Sequence, residues 1–506
     1  MKCVAYGEDA AYVDLEIDTA PDRAARTRAA AEAIQRKFPE ADVVVGAGAI
    51  AVHGVAPSYA LREAARLAAG SGQIESVARL LRRIDVVYDG PDLEPVARAL
   101  GLAPGALVEL HAGRDYVVEV VGFLPGFAYL GALDPRLVTP RRASPRTVVP
   151  AASVGIAGAF TGIYPFASPG GWNLIGRALD VVPFDSTRAE ASMFRVGDRV
   201  RFVPADPRAG PPPGPPAAAP AGQRGGCVRV VRAPPGATIQ DAGRGGQLGR
   251  GLPPSGPLDP VAYVRANVAV GNPPGAAAVE VPLGSMELVA EGELVVSIDG
   301  EPARRIADGG RIEVAAGASA VRYVAVRGGI DVPLVLGARA TLLVARFGGL
   351  EGRALTGGDR LPVGDRAAGV SDFAIPESAA ETDAEGATSL EIDPGPHVAR
   401  FPEGALEALV AGSFDVSPKG DRVGVRLDGD RVPRHGADVA GPVPMRRGAV
   451  QVSTDGTPIV LGPDHPVTGG YPVIAVLRCA SQTRLARLRP GRPVRFVLAP
   501  PAGVSA

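Results

Sequence analysis

Residues 122–178 read GFLPGFAYLGALDPRLVTPRRASPRTVVPAASVGIAGAFTGIYPFASPGGWNLIGRA, and the reading of this stretch governs the rest of the chain. It holds the sole tryptophan, Trp172, and four arginines, Arg136, Arg141, Arg142 and Arg146, within eleven positions. Glycine permits positive φ and close backbone approach, and proline fixes φ, so the run is a series of committed turns. Turns bearing arginines and an aromatic ring are how rigid scaffolds usually present a binding surface. A structural string of β-turns with solvated arginines is the alternative.

Working outward, 506 residues suffice for several domains, each with its own core. Gly 66 and Pro 50 make up about 23% of the chain, well above average usage, while 46% of residues are hydrophobic. That combination is a β-rich, turn-dense globular protein and not a disordered one. Lys+Arg 53 against Asp+Glu 54 leaves a formal charge of −1, so no global field attracts nucleic acid or an anionic membrane. Cys3, Cys227 and Cys479 are too dispersed for a disulfide framework or a CxxC metal site, which fits a reducing compartment. The opening MKCVAYGEDAAYVDLEI has no signal-peptide pattern, and no run of 18 apolar residues occurs, so a cytoplasmic location is expected.

Residues 1–80 alternate strand and helix signals and predict a small α/β lobe: CVAYGEDAAYVDLEI as a strand or hairpin, DRAARTRAAAEAIQRKF as a helix, ADVVVGAGAIAVHGV as paired strands, SYALREAARLAAG as a second helix. A short helix, DLEPVARALG, follows before strands dominate, giving a β-barrel domain over 81–203. The Pro/Ala/Gly tract 204–226 cannot pack a core and reads as a semi-extended linker. Beyond it lie a β lobe over 227–371, an acidic connector over 372–390 and a second β lobe over 391–506. An internal echo links the halves. FRVGDRVRFVPA (194–205) matches LRPGRPVRFVLA (488–499), and TGIYP (161–165) pairs with TGGYP (468–472), with FASPGGWNLIGRA as an elaboration of the first copy.

The 122–178 stretch resembles the signature of the B-subunit family of 5-oxoprolinase, also called allophanate hydrolase subunit 1: GFxPGFPYLxGLxxxLxxPRRxxPRxxVPAGSVGIAGxQTGIYPxxSPGGWxLIGRT. Departures are Ala128 for Pro, Ala152 for Gly, Phe160 for Gln and Ala178 for Thr. After the linker, ATIQDAGRGGQLGRGLPPSGPLDPVAYVRANVAVGN resembles the opening of the C-subunit family of 5-oxoprolinase (allophanate hydrolase subunit 2). Both families contribute to urea-amidolyase-related carboxyltransferase domains. The resemblance implies a fused B–C chain, mainly β with an α/β N-terminal lobe and tandem cyclophilin-like β-barrel domains.

Candidate residues follow from chemistry and from these motifs. Lysine is nearly absent, with Lys2, Lys37 and Lys419 against fifty arginines, so Lys419 in SPKGDR is a candidate where arginine would not serve. Asp421 and Arg422 adjoin it; Arg422 could clamp a carboxylate or phosphate, and an Asp–Arg pair tying a hairpin is the alternative. Arg141, Arg142 and Arg146 in PRRASPR are the candidate anion clamp of the first half, with one of the adjacent pair Arg141 and Arg142 facing the site, and Tyr164 and Trp172 are further substrate-binding candidates. His111 is the favoured acid or base because an unperturbed imidazole titrates near ~6.5; a packing histidine is the alternative, and His465 is a weaker candidate. Gln240, Asp241 and Arg244 cluster in a Gly-rich turn, while Asp259 before Pro260 is a helix-cap signal. The five histidines are too dispersed for a metal cluster, so no structural metal is expected. Neither GxxxxGK[ST] nor GxSxG occurs, so neither a P-loop nor a serine-hydrolase elbow is expected.

The resemblance implies the B–C component of an ATP-dependent 5-oxoprolinase, using ATP with Mg2+ as a substrate and acting with the separate A subunit of 5-oxoprolinase on a small molecule. Homo-oligomerisation stays open. The same domains also occur in biotin-dependent carboxyltransferases of the urea carboxylase type, which would require biotin, and in regulators of a histidine kinase. On the leading reading, Arg142, Arg244 and Arg422 converge in a cleft between the lobes.

Overall fold

The computed structural model describes residues 1–17, 20, 22–57, 80–207, 226–364, 386–435 and 441–500, with 59, 63, 66 and 67. Most of the second predicted helix, the Pro-rich tract and the acidic connector therefore lie outside the described residues. The connector ends earlier than expected, because a strand already runs over Thr388–Pro394.

The N-terminal lobe is a four-stranded antiparallel sheet in the order Lys2–Ala5, Ala10–Asp14, Ala49–His53, Asp42–Val45, with helix Arg23–Lys37 against it. Strand Ala49–His53 is buried at every position. Alternation explains this: Val13, Ile50 and Val52 pack with Ala30, Ala31 and Ile34 of the helix, while Tyr12, Val44 and Ala51 pack on Met445, Val467, Val473 and Val476 of the last lobe. One sheet thus joins the two ends of the chain.

The first barrel closes through seven strands in the order Leu81–Val87, Asn173–Ala178, Ser153–Ala157, Phe160–Ile163, Ala128–Gly131, Asp115–Val121, Arg199–Pro204. The last lobe closes in the same way: Thr388–Pro394, Val473–Leu477, Ala449–Val452, Pro458–Leu461, Gly424–Gly429, Phe414–Val416, Pro493–Leu498. Each barrel seals with a parallel pair between its first and final strands, Phe202 opposite Ile84 in one and Phe496 opposite Leu390 in the other. The V-R-F-V echo marks that sealing strand, whose first Val and Phe point inward in both copies.

The second half of the echo is corrected. TGIYP begins in strand Phe160–Ile163, whose counterpart is Pro458–Leu461, whereas TGGYP precedes the counterpart of Asn173–Ala178. Its structural equivalent is SPGGW, and each segment pairs in a two-stranded ribbon, Ser168–Gly170 with Arg146–Val149 and Thr468–Gly469 with Val443–Pro444. The SPGGW segment is therefore not an insertion. Identical turn letters outweighed the order of strands.

Between the barrels, residues 227–363 form two packed sheets of four and five strands around one core. Helix Pro260–Ala269 opens as the sequence indicates. Asp259 accepts hydrogen bonds from the Val261 and Ala262 amides at 3.0 Å, with Pro260 in the first turn. Helix Pro104–Ala112, which carries His111, has no counterpart among the sequence expectations.

Buried imidazoles set an acid limit on this fold. Burial holds His53, His111 and His397 down to about 3, against about 6.5 in an unfolded chain. The unfolded state binds more protons between those values, so stability is complete above about pH 6.5 and falls as pH drops toward 3. Thermal midpoints at pH 7, 5.5 and 4.5 should decline in that order; a flat profile would refute it.

Candidate active site at the seam of the two halves

The halves meet where glycine permits it. Val467 and Thr468 donate their amides to the Gly122 carbonyl at 2.9 and 3.2 Å. Gly122 and Gly251 both have positive φ, and a Cβ on Gly251 would stand 3.0 Å from the Gly122 Cα. Phe184 of the first barrel packs on Phe347 of the middle lobe, with ring centroids 5.4 Å apart.

Around this seam lies a buried polar constellation. After strand Thr238–Gln240, the chain turns so that the Arg244 amide bonds to the Pro254 carbonyl at 2.7 Å. Arg244 is 1% exposed. Its Nε donates to Val335 O at 3.3 Å and its Nη2 to Ala340 O, with the guanidinium 4.6 Å from the Phe347 ring centroid. Among the described residues no carboxylate lies at ion-pair distance, and Nη1 has no partner. Desolvation pulls its pKa down to about 10, so it stays charged at neutral pH.

Two further polar atoms lie buried without partners in the same segments. Gln240 donates to Thr238 Oγ1 and Thr341 O at 3.0 and 3.2 Å, leaving Oε1 unmatched. Ser255, at φ 57°, donates its amide to Pro463 O at 3.1 Å, and its Oγ is unmatched. Unmatched buried polar groups are rare in folded proteins and mark places where water or a ligand belongs. Asp241 instead holds the turn, accepting from the Gly243 amide at 2.9 Å and from the Arg339 amide.

Arg422 reaches the same region but does other work. Its Nε and Nη2 grip Asp464 at 2.8 and 3.1 Å, Nη2 also reaches Gly256 O at 2.7 Å, and Nη1 pairs with Glu280. Glu280 also accepts from Tyr323 OH at 2.6 Å and the Leu258 amide at 2.9 Å. These bonds tie the last barrel to the middle lobe and occupy the guanidinium. Arg447 adds to the tie through Pro257 O and Leu258 O at 3.0 and 2.7 Å.

The remaining candidates are placed elsewhere. Arg142 and Arg146 both bind Asp92 Oδ1, at 3.0 and 2.8 Å, and Asp92 Oδ2 accepts the Leu174 amide at 2.7 Å. Among the described residues Arg142 is held by Asp92, and no hydrogen bond or ion pair joins it to Arg244 or Arg422. Trp172 and Tyr164 pack edge-on against Phe127. Arg141 reaches the last barrel instead: a Cβ on Gly470 would stand 2.9 Å from its Nη2. His111 is fully buried, with Nδ1 2.7 Å from Tyr88 OH, Nε2 2.8 Å from Thr161 Oγ1 and its ring stacked on Phe202. Those contacts enclose the ring in the barrel interior, the surroundings of a packing histidine. Lys419 is exposed, and Asp421 orders its own turn by accepting from the Val423 and Gly424 amides at 2.8 and 3.2 Å. His465 is buried, with Nδ1 2.8 Å from Pro466 O.

An open cleft of about 360 Å³ lies where helix Arg23–Lys37, the 190–196 segment of the first barrel and the 247–252 turn of the second half come together. Arg28, Arg195, Arg250 and Gln247 line it. The sequence reading missed all four, and only the Gly-rich GRGGQLGRG run hinted at a shaped loop there. Among the described residues, no group of three or more potential metal ligands occurs and no helix is long and apolar enough to cross a membrane.

Two barrels of one topology, a two-sheet lobe between them and a shared polar seam define a tandem cyclophilin-like β-barrel protein. Residues 1–194 match the carboxyltransferase domain, subdomain C and D, and residues 250–498 match the carboxyltransferase domain, subdomain A and B. The chain is 52% identical over 137 residues to the B subunit of 5-oxoprolinase from Escherichia coli O157:H7, covering 26% of this chain and 62% of that protein. It is 34% identical over 285 residues to the C subunit of 5-oxoprolinase from Escherichia coli K12, covering 53% of this chain and 90% of that protein. The crystal structure of TTHA0988 superposes with a TM-score of 0.81 at 33% identity, covering 96% of this chain and 99% of that one. The chain belongs to this carboxyltransferase-domain family, with a half of the B type and a half of the C type in one polypeptide.

Proposed function

We propose that this chain is the B–C component of an ATP-dependent 5-oxoprolinase, activating 5-oxo-L-proline for hydrolysis to L-glutamate with a separate A subunit in the cytoplasm. The names of the B-type and C-type relatives support this reading. The structural observation that carries it is Arg244, a buried guanidinium with no carboxylate partner among the described residues and an empty Nη1. Asp241 and Asp464 act on this cation only from beyond ion-pair distance, so its burial stays costly and a substrate carboxylate would relieve that cost.

A five-membered lactam resists water. Transfer of the γ-phosphoryl group of ATP to the lactam oxygen breaks a P–O bond to ADP, forms one to the substrate and leaves an electrophilic carbon. Water then adds at that carbon, the C–N bond opens to free the amine and leave an acyl phosphate, and a second water releases phosphate to give glutamate. In this scheme Arg244 fixes the carboxylate, while Ser255 Oγ and Gln240 Oε1 offer a donor and an acceptor to the ring amide. Phosphoryl transfer is chiefly positioning and charge stabilisation, which suits an arginine-rich seam.

The chain mixed with the A subunit, ATP, Mg2+ and 5-oxo-L-proline should release glutamate and ADP in equal amounts. Silence with an A subunit that works alongside another B–C pair would sink the proposal. The carboxyltransferase match favours a second reading, transfer of a carboxyl group from biotin to an amide. Carboxylated product in the presence of a biotin carrier, with no glutamate formed, would select it.

A further inference from the structure

We propose that the cleft between the halves binds a nucleoside polyphosphate, with Arg28, Arg195 and Arg250 on the phosphates and an apolar wall of Phe194, Leu252 and Leu336 on the base. This rests on the reading of the chain as an ATP-using component and assigns ATP a place apart from Arg244. Its volume, about 360 Å³, falls within the usual range for small-molecule sites.

The charge at the cleft is available. Arg250 is exposed and has no carboxylate partner among the described residues. Arg195 pairs with Glu190 at 2.6 Å, but both side chains are more than half exposed, so the pair is weak and exchangeable. Arg28 stands 4.0 Å from Glu32, the outer limit of an ion pair. Glu32 and Glu190 lie on the same rim, so the net positive charge is modest and the ligand is expected with its Mg2+.

The neighbouring backbone turns amides toward a carboxylate: those of Gly246, Leu248 and Gly249 offset part of the rise that burial gives the Asp42 pKa. Amides that favour a charged oxyanion in this way suit an anion site. Gly249 makes the fit possible, since a Cβ there would stand 2.8 Å from Val43 O. Gln247 projects from the same loop and lines the cleft, and its Oε1 is buried without a partner, an acceptor suited to the exocyclic amine of a base.

The test is calorimetric titration of the full chain with ATP and Mg2+, with neither 5-oxoproline nor any other protein present. Arg195→Gln/Arg250→Gln alters two exposed side chains, and an unchanged thermal midpoint would verify its folding. ATP should bind the original chain, and the double variant should lose at least tenfold in affinity. Tripolyphosphate should lose as much, while adenosine should compete with ATP equally in both. Equal ATP affinity in the two proteins, or no ATP binding to either, would overturn the assignment; failure of adenosine to compete would overturn the base site. Turnover with an unchanged KM for ATP in the double variant would sink the cleft and spare the oxoprolinase reading. Arginine-dependent ATP binding without oxoproline turnover would do the reverse.

Discussion

Glu280→Ala is expected to weaken the union of the last barrel and the middle lobe by about 3–5 kcal/mol, the cost of removing one partner from a buried ion pair. Glu280 is 0% exposed and Arg422 8%. Removing the carboxylate leaves Arg422 Nη1, Tyr323 OH and the Leu258 amide without their acceptor at once. Asp464 still grips the other side of the guanidinium, so the loss is local and not global unfolding. A chain of several lobes need not unfold in one step, so the readout is hydrogen exchange on strand Ala278–Pro282 and the 417–424 turn. Protection there should fall by about a hundredfold or more, since ~1.4 kcal/mol is tenfold, while the first barrel stays unchanged. Wild-type protection in the variant would show that the network ties nothing together.

Arg244→Lys is expected to raise the KM for 5-oxo-L-proline by at least about tenfold, because an ammonium cannot reproduce a planar fork of donors. The fork here spans Val335 O, Ala340 O and the position facing Nη1. The diagnostic comparison is 2-pyrrolidinone, the same lactam without its carboxylate. If Arg244 meets the carboxylate, the original chain and the variant should handle 2-pyrrolidinone alike and separate only on 5-oxoproline. A variant equally impaired on both would demote Arg244 to a packing role.

Much of the architecture is legible in linear order. The hairpin at residues 2–14, the helix after Asp22, the Asp259–Pro260 cap and the V-R-F-V sealing strands all depend on contacts a few residues away or on local periodicity. The site is less legible. Arg422 looked like a free clamp because its partner Glu280 lies 142 positions earlier, and Arg142 and Arg146 looked available because Asp92 stands 50 and 54 positions upstream. His111 gave no sign that Tyr88, Thr161 and Phe202 would enclose it.

The order of residues by itself settled the kind of domains, their repetition and the turns that had to be glycine, since each follows from backbone sterics and short-range pattern. Only the tertiary structure decided which arginines are held in ion pairs and which keep a donor without a partner. An arginine's availability depends on the carboxylates brought beside it when the two halves close, and sequence separation does not encode that proximity.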